Sequence, residues 1–104
     1  MMFGNIFTPV NMGAEEFSEV LARGAGCRVE RIVSCGHVSP EGFWYDQDEW
    51  EWVAVTQGSA ELEFQDSRRS LSAGDWILIP AHERHRVAYT STEPPCVWLA
   101  VFGQ

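Results

Sequence analysis

From Cys27 onward the chain carries strand signals, and in two places the period-two rule sets a charged or titratable group on an apolar face. In Glu51-Trp52-Val53-Ala54-Val55-Thr56-Gln57-Gly58, Glu51 falls on the face of Val53 and Val55. A carboxylate on a buried face is costly unless it is paired, protonated or bound to a metal. Further on, Arg84-His85-Arg86-Val87-Ala88-Tyr89 puts His85, Val87 and Tyr89 on one face and both arginines on the other. Two such groups on the inward faces of two strands point to a single site.

The same pattern predicts strands over Arg28 to Cys35, Phe43 to Tyr45, Trp50 to Gln57, Ala60 to Phe64, Trp76 to Ile79, His85 to Tyr89 and Val97 to Phe102. Turn residues separate them: Gly36, Pro40, Gly42, Gly58, Asp66, Ser67, Gly74, Pro80 and Glu93 to Pro95. Ahead of these, residues 13–22 predict a short amphipathic helix, with Glu15 and Glu16 in its first turn and Gly24 beyond its end. Its apolar residues Phe17, Val20 and Leu21 would dock on the body of the fold. Short strands without a second helix predict an all-β sandwich or barrel, and the lack of crossover helices excludes a parallel α/β sheet. The expected organisation is one domain, residues 1–104, with an N-terminal arm and helix over 1–26 and a barrel over 27–104.

Three of the strands are apolar on both faces. Trp52 and Ala54 oppose Val53 and Val55, Trp76 and Leu78 oppose Ile77 and Ile79, and Trp98 and Phe102 oppose Val97, Leu99 and Val101. One face fills the core, so the other needs a cover, and a homodimer interface is the expectation. The five tryptophans are read chiefly as core and interface.

Composition narrows the function classes. At 104 residues, 45% hydrophobic and 21% charged, the chain is globular. Its net charge of -8 argues against nucleic acid, which recruits clustered Lys and Arg. All seven basic residues are arginine, so Schiff-base and lysine-nucleophile chemistry is excluded. No apolar run reaches the length of a membrane span, and Met1-Met2-Phe3-Gly4-Asn5 lacks the basic flank of a signal peptide; a cytoplasmic protein with no membrane partner is expected. Cys27, Cys35 and Cys96 are odd in number and lack CxxC spacing, which predicts reduced, largely buried thiols. No GxSxG elbow, P-loop, Rossmann glycine pattern or calcium-loop pattern occurs.

Gly74-Asp75-Trp76-Ile77-Leu78-Ile79-Pro80-Ala81-His82-Glu83-Arg84-His85 resembles the second cupin motif, with His82 where the motif has its internal glycine. Glu51 and Gly58 match the second half of the first cupin motif. The two histidines of that motif are replaced, by Tyr45 and Gln47 at one permitted spacing or by Trp44 and Asp46 at the other. With Glu30-Arg31-Ile32-Val33-Ser34, Trp44-Tyr45-Asp46-Gln47-Asp48 and Trp98-Leu99-Ala100-Val101, the chain is similar to small bacterial single-domain cupins of unassigned activity. The resemblance implies a double-stranded β-helix, or jelly-roll, barrel with a divalent metal ion inside it. Carried over by position, the ligands are Glu51, His85 and the amide oxygen of Gln47, with the phenol of Tyr45 beside them.

Imidazole with oxygen donors suits Fe, Mn, Zn or Ni. Asp46 and Asp48 flank Gln47, and a bulge there would turn a second carboxylate inward. Tyr45, Trp44 and His82 are the candidates to line a substrate pocket, while His37 is read as solvated. Arg31, on the face of Val29 and Val33, would meet a buried acid or an anionic substrate. Two functions stay open: a metal-dependent oxygenase or isomerase acting on a small polar molecule, and a non-catalytic small-ligand binding or sensing module built on a metal-free Glu51–His85 pair. No catalytic residue is assigned.

Overall fold

The computed structural model describes residues 1–104. It contains eight strands: β1 (Phe17–Gly24), β2 (Cys27–Ser34), β3 (Trp50–Gln57), β4 (Ser59–Phe64), β5 (Arg68–Ser72), β6 (Trp76–Ile79), β7 (His85–Thr90) and β8 (Cys96–Gly103). All pairings are antiparallel, in a five-stranded sheet of order β1-β2-β8-β3-β6 and a three-stranded sheet of order β5-β4-β7. The two sheets face each other as a jelly-roll barrel. No helix is long and apolar enough to cross a membrane.

The period-two reading holds along β3 and β8. Glu51, Val53 and Val55 turn inward, as do Trp98, Ala100 and Phe102 on the neighbouring strand. Ala60, Leu62, Leu71 and Ile79 complete the core from the other strands. Gly58 makes the β3–β4 turn at φ +77°, where an added Cβ would collide with the Ser91 hydroxyl and the Pro95 carbonyl; only glycine fits there.

On β7 the alternation breaks. Leu62 pairs with Val87 but Glu61 pairs with Tyr89, so Ala88 is an extra residue on that strand. The bulge reverses parity: Thr90 is buried at 2% exposure and Tyr89 lies outside at 51%. Tyr89 therefore does not share the inward face of His85 and Val87.

The N-terminal helix expected over 13–22 is absent, and residues from Phe17 form β1 instead. A helix of about ten residues is marginal without strong packing, and the edge of β2 offers a better partner. Arg31 is only 5% exposed, so its guanidinium must be satisfied locally. β1 sets Glu19 opposite Arg31, giving a 2.7 Å ion pair, and places the Phe17 ring 5.2 Å from the guanidinium carbon. The carbonyls of Ile6 and Thr8 accept from Nη1 at 3.1 and 2.8 Å, which straps the N-terminal arm over the outer face of β2.

Two further expectations change. Phe43 to Tyr45 contributes only a single bridge, Tyr45 to His85, whereas the charged segment Arg68–Ser72 is a strand with one buried side chain, Leu71. The thiols also differ from the expectation of general burial: Cys27 is exposed, Cys35 half-buried and Cys96 buried. Burial, with a contribution from Glu16, pushes the Cys96 thiol up to about 12. The arm covers the β2 side of the five-stranded sheet, while Trp76 and Leu78 remain 61% and 54% exposed on its other side.

Leu71→Ala, which empties a packed core position, is expected to cost about 2–5 kcal/mol. Val38→Ala, at an exposed position, should stay within about 0.5 kcal/mol of wild type. Urea denaturation of the two variants checks the contrast.

Candidate functional site

Glu51 is the second residue of β3 and His85 the first of β7, on opposite sheets. Glu51 lies between Phe102 of β8 and Ile79 of β6, which fixes its side chain inward. His85 pairs with Phe64 of β4 and exchanges backbone hydrogen bonds with Tyr45 at 2.7 and 3.2 Å. The closed barrel brings the two side chains together, with His85 Nε2 3.5 Å from Glu51 Oε1. Gln47 joins them, its amide nitrogen 3.4 Å from the same oxygen. The Tyr45 ring stacks on the imidazole at 5.3 Å, and Phe64 flanks it at 6.1 Å.

The imidazole is oriented by its other nitrogen. Nδ1–H donates to the Glu83 carbonyl at 2.8 Å, since a carbonyl only accepts. In the neutral ring Nε2 then carries the lone pair that faces Glu51. Burial opposes a charge on His85, but Glu51 and the Glu83 carbonyl outweigh it and raise the pKa above the ordinary histidine value. Burial, Glu16 and Glu51 likewise raise the Tyr45 phenol, which stays protonated at neutral pH as a hydrogen-bond donor.

These side chains line a cavity of about 320 Å³. Tyr45, Gln47, Glu51 and His85 all reach it; Trp44 and His82 do not line it. Trp44 instead lies 5.6 Å from the Arg84 guanidinium. His82 sits outside, its side chain 63% exposed, where Nδ1–H donates to Asp46 at 2.7 Å and Nε2 is 3.4 Å from Asp48. Both aspartates thus face solvent, and neither is turned into the barrel. His82 has φ +64° at the position the motif gives to glycine, and its amide donates to the Gln47 carbonyl at 2.8 Å. His37 is not merely solvated: Nδ1 accepts from the Cys35 amide and Nε2–H donates to the Gly13 carbonyl, both at 2.9 Å.

Sequence reasoning missed the rest of the wall. Arg28 Nη1 donates to both oxygens of Glu49 at 2.8 and 2.7 Å, Nε donates to Glu30, and the guanidinium lies 4.2 Å over the Phe102 ring. Glu16 and Ser18 complete the polar lining. The signal was present in β2, where period two puts Arg28 and Glu30 on the side of Ile32.

No group of three or more His, Cys, Asp or Glu side chains is arranged to hold a metal ion. The donor set at the base of the cavity is one imidazole, one carboxylate and one neutral amide, which fits an ion only with open positions left to solvent or ligand. His85 Nε2 and Glu51 Oε1, 3.5 Å apart, are the two donors that would hold such an ion. That separation is long for a direct hydrogen bond.

The cupin-domain profile matches residues 34–102. The chain belongs to the cupin family. A protein from Ralstonia eutropha JMP134, provisionally named a mannose-6-phosphate isomerase, superposes with a TM-score of 0.93 at 45% identity, over 100% of this chain and 99% of that one. A cupin superfamily protein from Desulfitobacterium hafniense DCB-2 matches at 0.76 and 17% identity, over 91% and 83%. KdgF from Halomonas sp. matches at 0.74 and 19%, over 90% and 84%. The last two matches speak for the fold alone. No curated protein matches the chain.

The hydrogen bond to Asp46, with Asp48 adding, raises the His82 pKa. The link it makes between the 80–85 and 45–48 loops is therefore full below about pH 6.5 and lost as pH rises through the raised folded-state value. An NMR titration should find the His82 midpoint above 6.5, and Asp46→Asn should lower it toward that ordinary value (about 6.5).

Proposed function

We propose that this cupin holds a divalent metal ion on Glu51, His85 and Gln47 and acts on a small polar molecule in the cavity above it, isomerisation being the reaction class. The observation that carries the reading is the buried Glu51–His85 pair, separated by 3.5 Å, with the imidazole proton committed to Glu83 on the far side. The full-length likeness at 45% identity to a protein provisionally named an isomerase supports the reaction class. Isomerisation is redox-neutral overall and needs no external oxidant.

When bound, the ion supplies a Lewis acid that polarises a ligand oxygen. The chain's residues do the remainder. Glu83 fixes the imidazole tautomer, the ring of Tyr45 holds the imidazole plane, and the Tyr45 hydroxyl donates a hydrogen bond to the ligand. Trp98, Phe102 and Leu62 form an apolar wall that limits water around the bound molecule.

The donor set also supports a second reading. With no third charged or imidazole donor beside Glu51 and His85, the pair is self-sufficient as a buried ion pair, and the barrel is then a metal-free receptor for a small ligand. Elemental analysis separates the two. The metal reading expects near-stoichiometric metal in the wild type and its loss in both Glu51→Ala and His85→Ala. The receptor reading expects no metal after loading with Fe(II), Mn(II), Zn or Ni, and a loss of about 3–5 kcal/mol in His85→Ala, which strands Glu51 without a partner.

The quaternary state belongs to the same proposal. The outer face formed by Trp52, Ala54, Trp76, Leu78, Leu99 and Val101 bears no charge, although the chain carries -8. Trp52 and Trp76 stack there at 6.1 Å. Two strongly acidic copies meet with least repulsion on an uncharged, aromatic face, so a homodimer packed through it is the expected assembly. Sedimentation velocity should give twice the 11.7 kDa chain mass, and Trp76→Arg should give a folded monomer.

A further inference from the structure

We propose that the barrel cavity selects a small cationic ligand, an amine or guanidine, and discriminates against phosphorylated ones. The inference rests on the cavity being the ligand site and does not require the metal ion.

The wall carries four carboxylates, Glu16, Glu30, Glu49 and Glu51, against a single guanidinium, Arg28. That guanidinium is not free to receive an anion. Glu49 holds it through two hydrogen bonds, Glu30 holds its Nε, and Phe102 lies against its face. A phosphate that captured Arg28 would leave two carboxylates unpaired within the wall, beside its own charge.

The free valences tell the same way. Glu51 is 9% exposed, lines the cavity, and its Oε2 accepts no hydrogen bond from the protein. Glu16 receives the Ser34 hydroxyl on one oxygen at 2.8 Å and leaves the other unused, and Glu30 uses only one oxygen on Arg28. Phosphate is an acceptor, and the wall offers it little beyond the Ser18 and Tyr45 hydroxyls, the Gln47 amide and, when the ring is protonated, the His85 Nε2–H, which already faces Glu51. An ammonium is a donor and finds carboxylate oxygens on a wall that also carries the aromatic side chains Tyr45 and Trp98. Arg28 is an internal example of the same chemistry: a cation seated between two carboxylates over an aromatic ring. A divalent ion at Glu51 and His85 offsets part of the negative charge, yet Glu16 and Glu30 stay negative on the wall beside it.

The test holds the scaffold constant and varies the charge. Calorimetric titrations of the full chain with mannosamine, mannose and mannose 6-phosphate, at low ionic strength and neutral pH, are joined by putrescine and agmatine, which share only the cationic group. Each is run on metal-loaded and on metal-stripped protein. The expected result is binding of at least one amine, mannosamine exceeding mannose by on the order of tenfold, no measurable mannose 6-phosphate binding, and weaker amine binding in Glu16→Gln. Because Glu16 is exposed, that variant should fold normally. Mannose 6-phosphate binding as tightly as mannosamine, or no amine binding at millimolar concentration in either form, overturns the inference. The two proposals fail separately: amine selectivity in a protein that takes up no metal sinks the ion and leaves the charge selection standing, while stoichiometric metal with phosphate preference does the reverse.

Discussion

Enclosing the Glu51 carboxylate between two β-sheets is the constraint around which the lower part of the barrel is organised. Glu51 cannot reach solvent freely, because Ile79 and Phe102 pair on either side of it. Its only close cationic or hydrogen-bonding neighbours are His85 and Gln47. His85 in turn is held from three directions, by the Glu83 carbonyl, the Tyr45 ring and the backbone bridge to Tyr45. The segment from Tyr45 to Glu51 is thereby tied to both ends of the pair, and the cavity above takes its floor from that arrangement.

The same economy governs Arg31 on the outside of the sheet. A buried guanidinium has no neutral form available, so its neighbours must supply acceptors. Glu19 and the carbonyls of Ile6 and Thr8 do so, and the consequence is structural: the N-terminal arm lies across β2 and the residues after it pair as a strand. Inside the sheet, Arg28 is satisfied by Glu30 and Glu49 and becomes part of the cavity wall. Two arginines on one strand, one facing each way, thus anchor the arm and shape the pocket.

At the mouth, His82 takes over a position where the family motif has glycine. The left-handed backbone disfavours a side chain there, and the contacts to Asp46, Asp48 and the Gln47 carbonyl compensate. The acidic run from Asp46 to Glu51 consequently divides by direction: Asp46 and Asp48 serve the outer loop contact, Glu49 binds Arg28, and Glu51 faces the imidazole. Alternation along the chain separates groups that look alike in composition.

Local pattern determined much of this. Period-two spacing around Val53 and Val55, with turn glycines such as Gly58, was enough to mark β3 and to put Glu51 on its buried face, because side-chain direction in a strand follows from covalent geometry. The motif ending in His85 supplied the second half of the site and the family. Tertiary structure decided what local spacing does not encode. The bulge that sends Tyr89 outward arises from pairing with β4, and β1 is a strand because Arg31, on another segment, needs Glu19 opposite it. Which carboxylates share a cavity with Glu51, and that Arg28 is already spoken for among them, depends on the closure of β2 against β8 and β3: charge and hydrogen bonding act across space, between residues the chain keeps far apart.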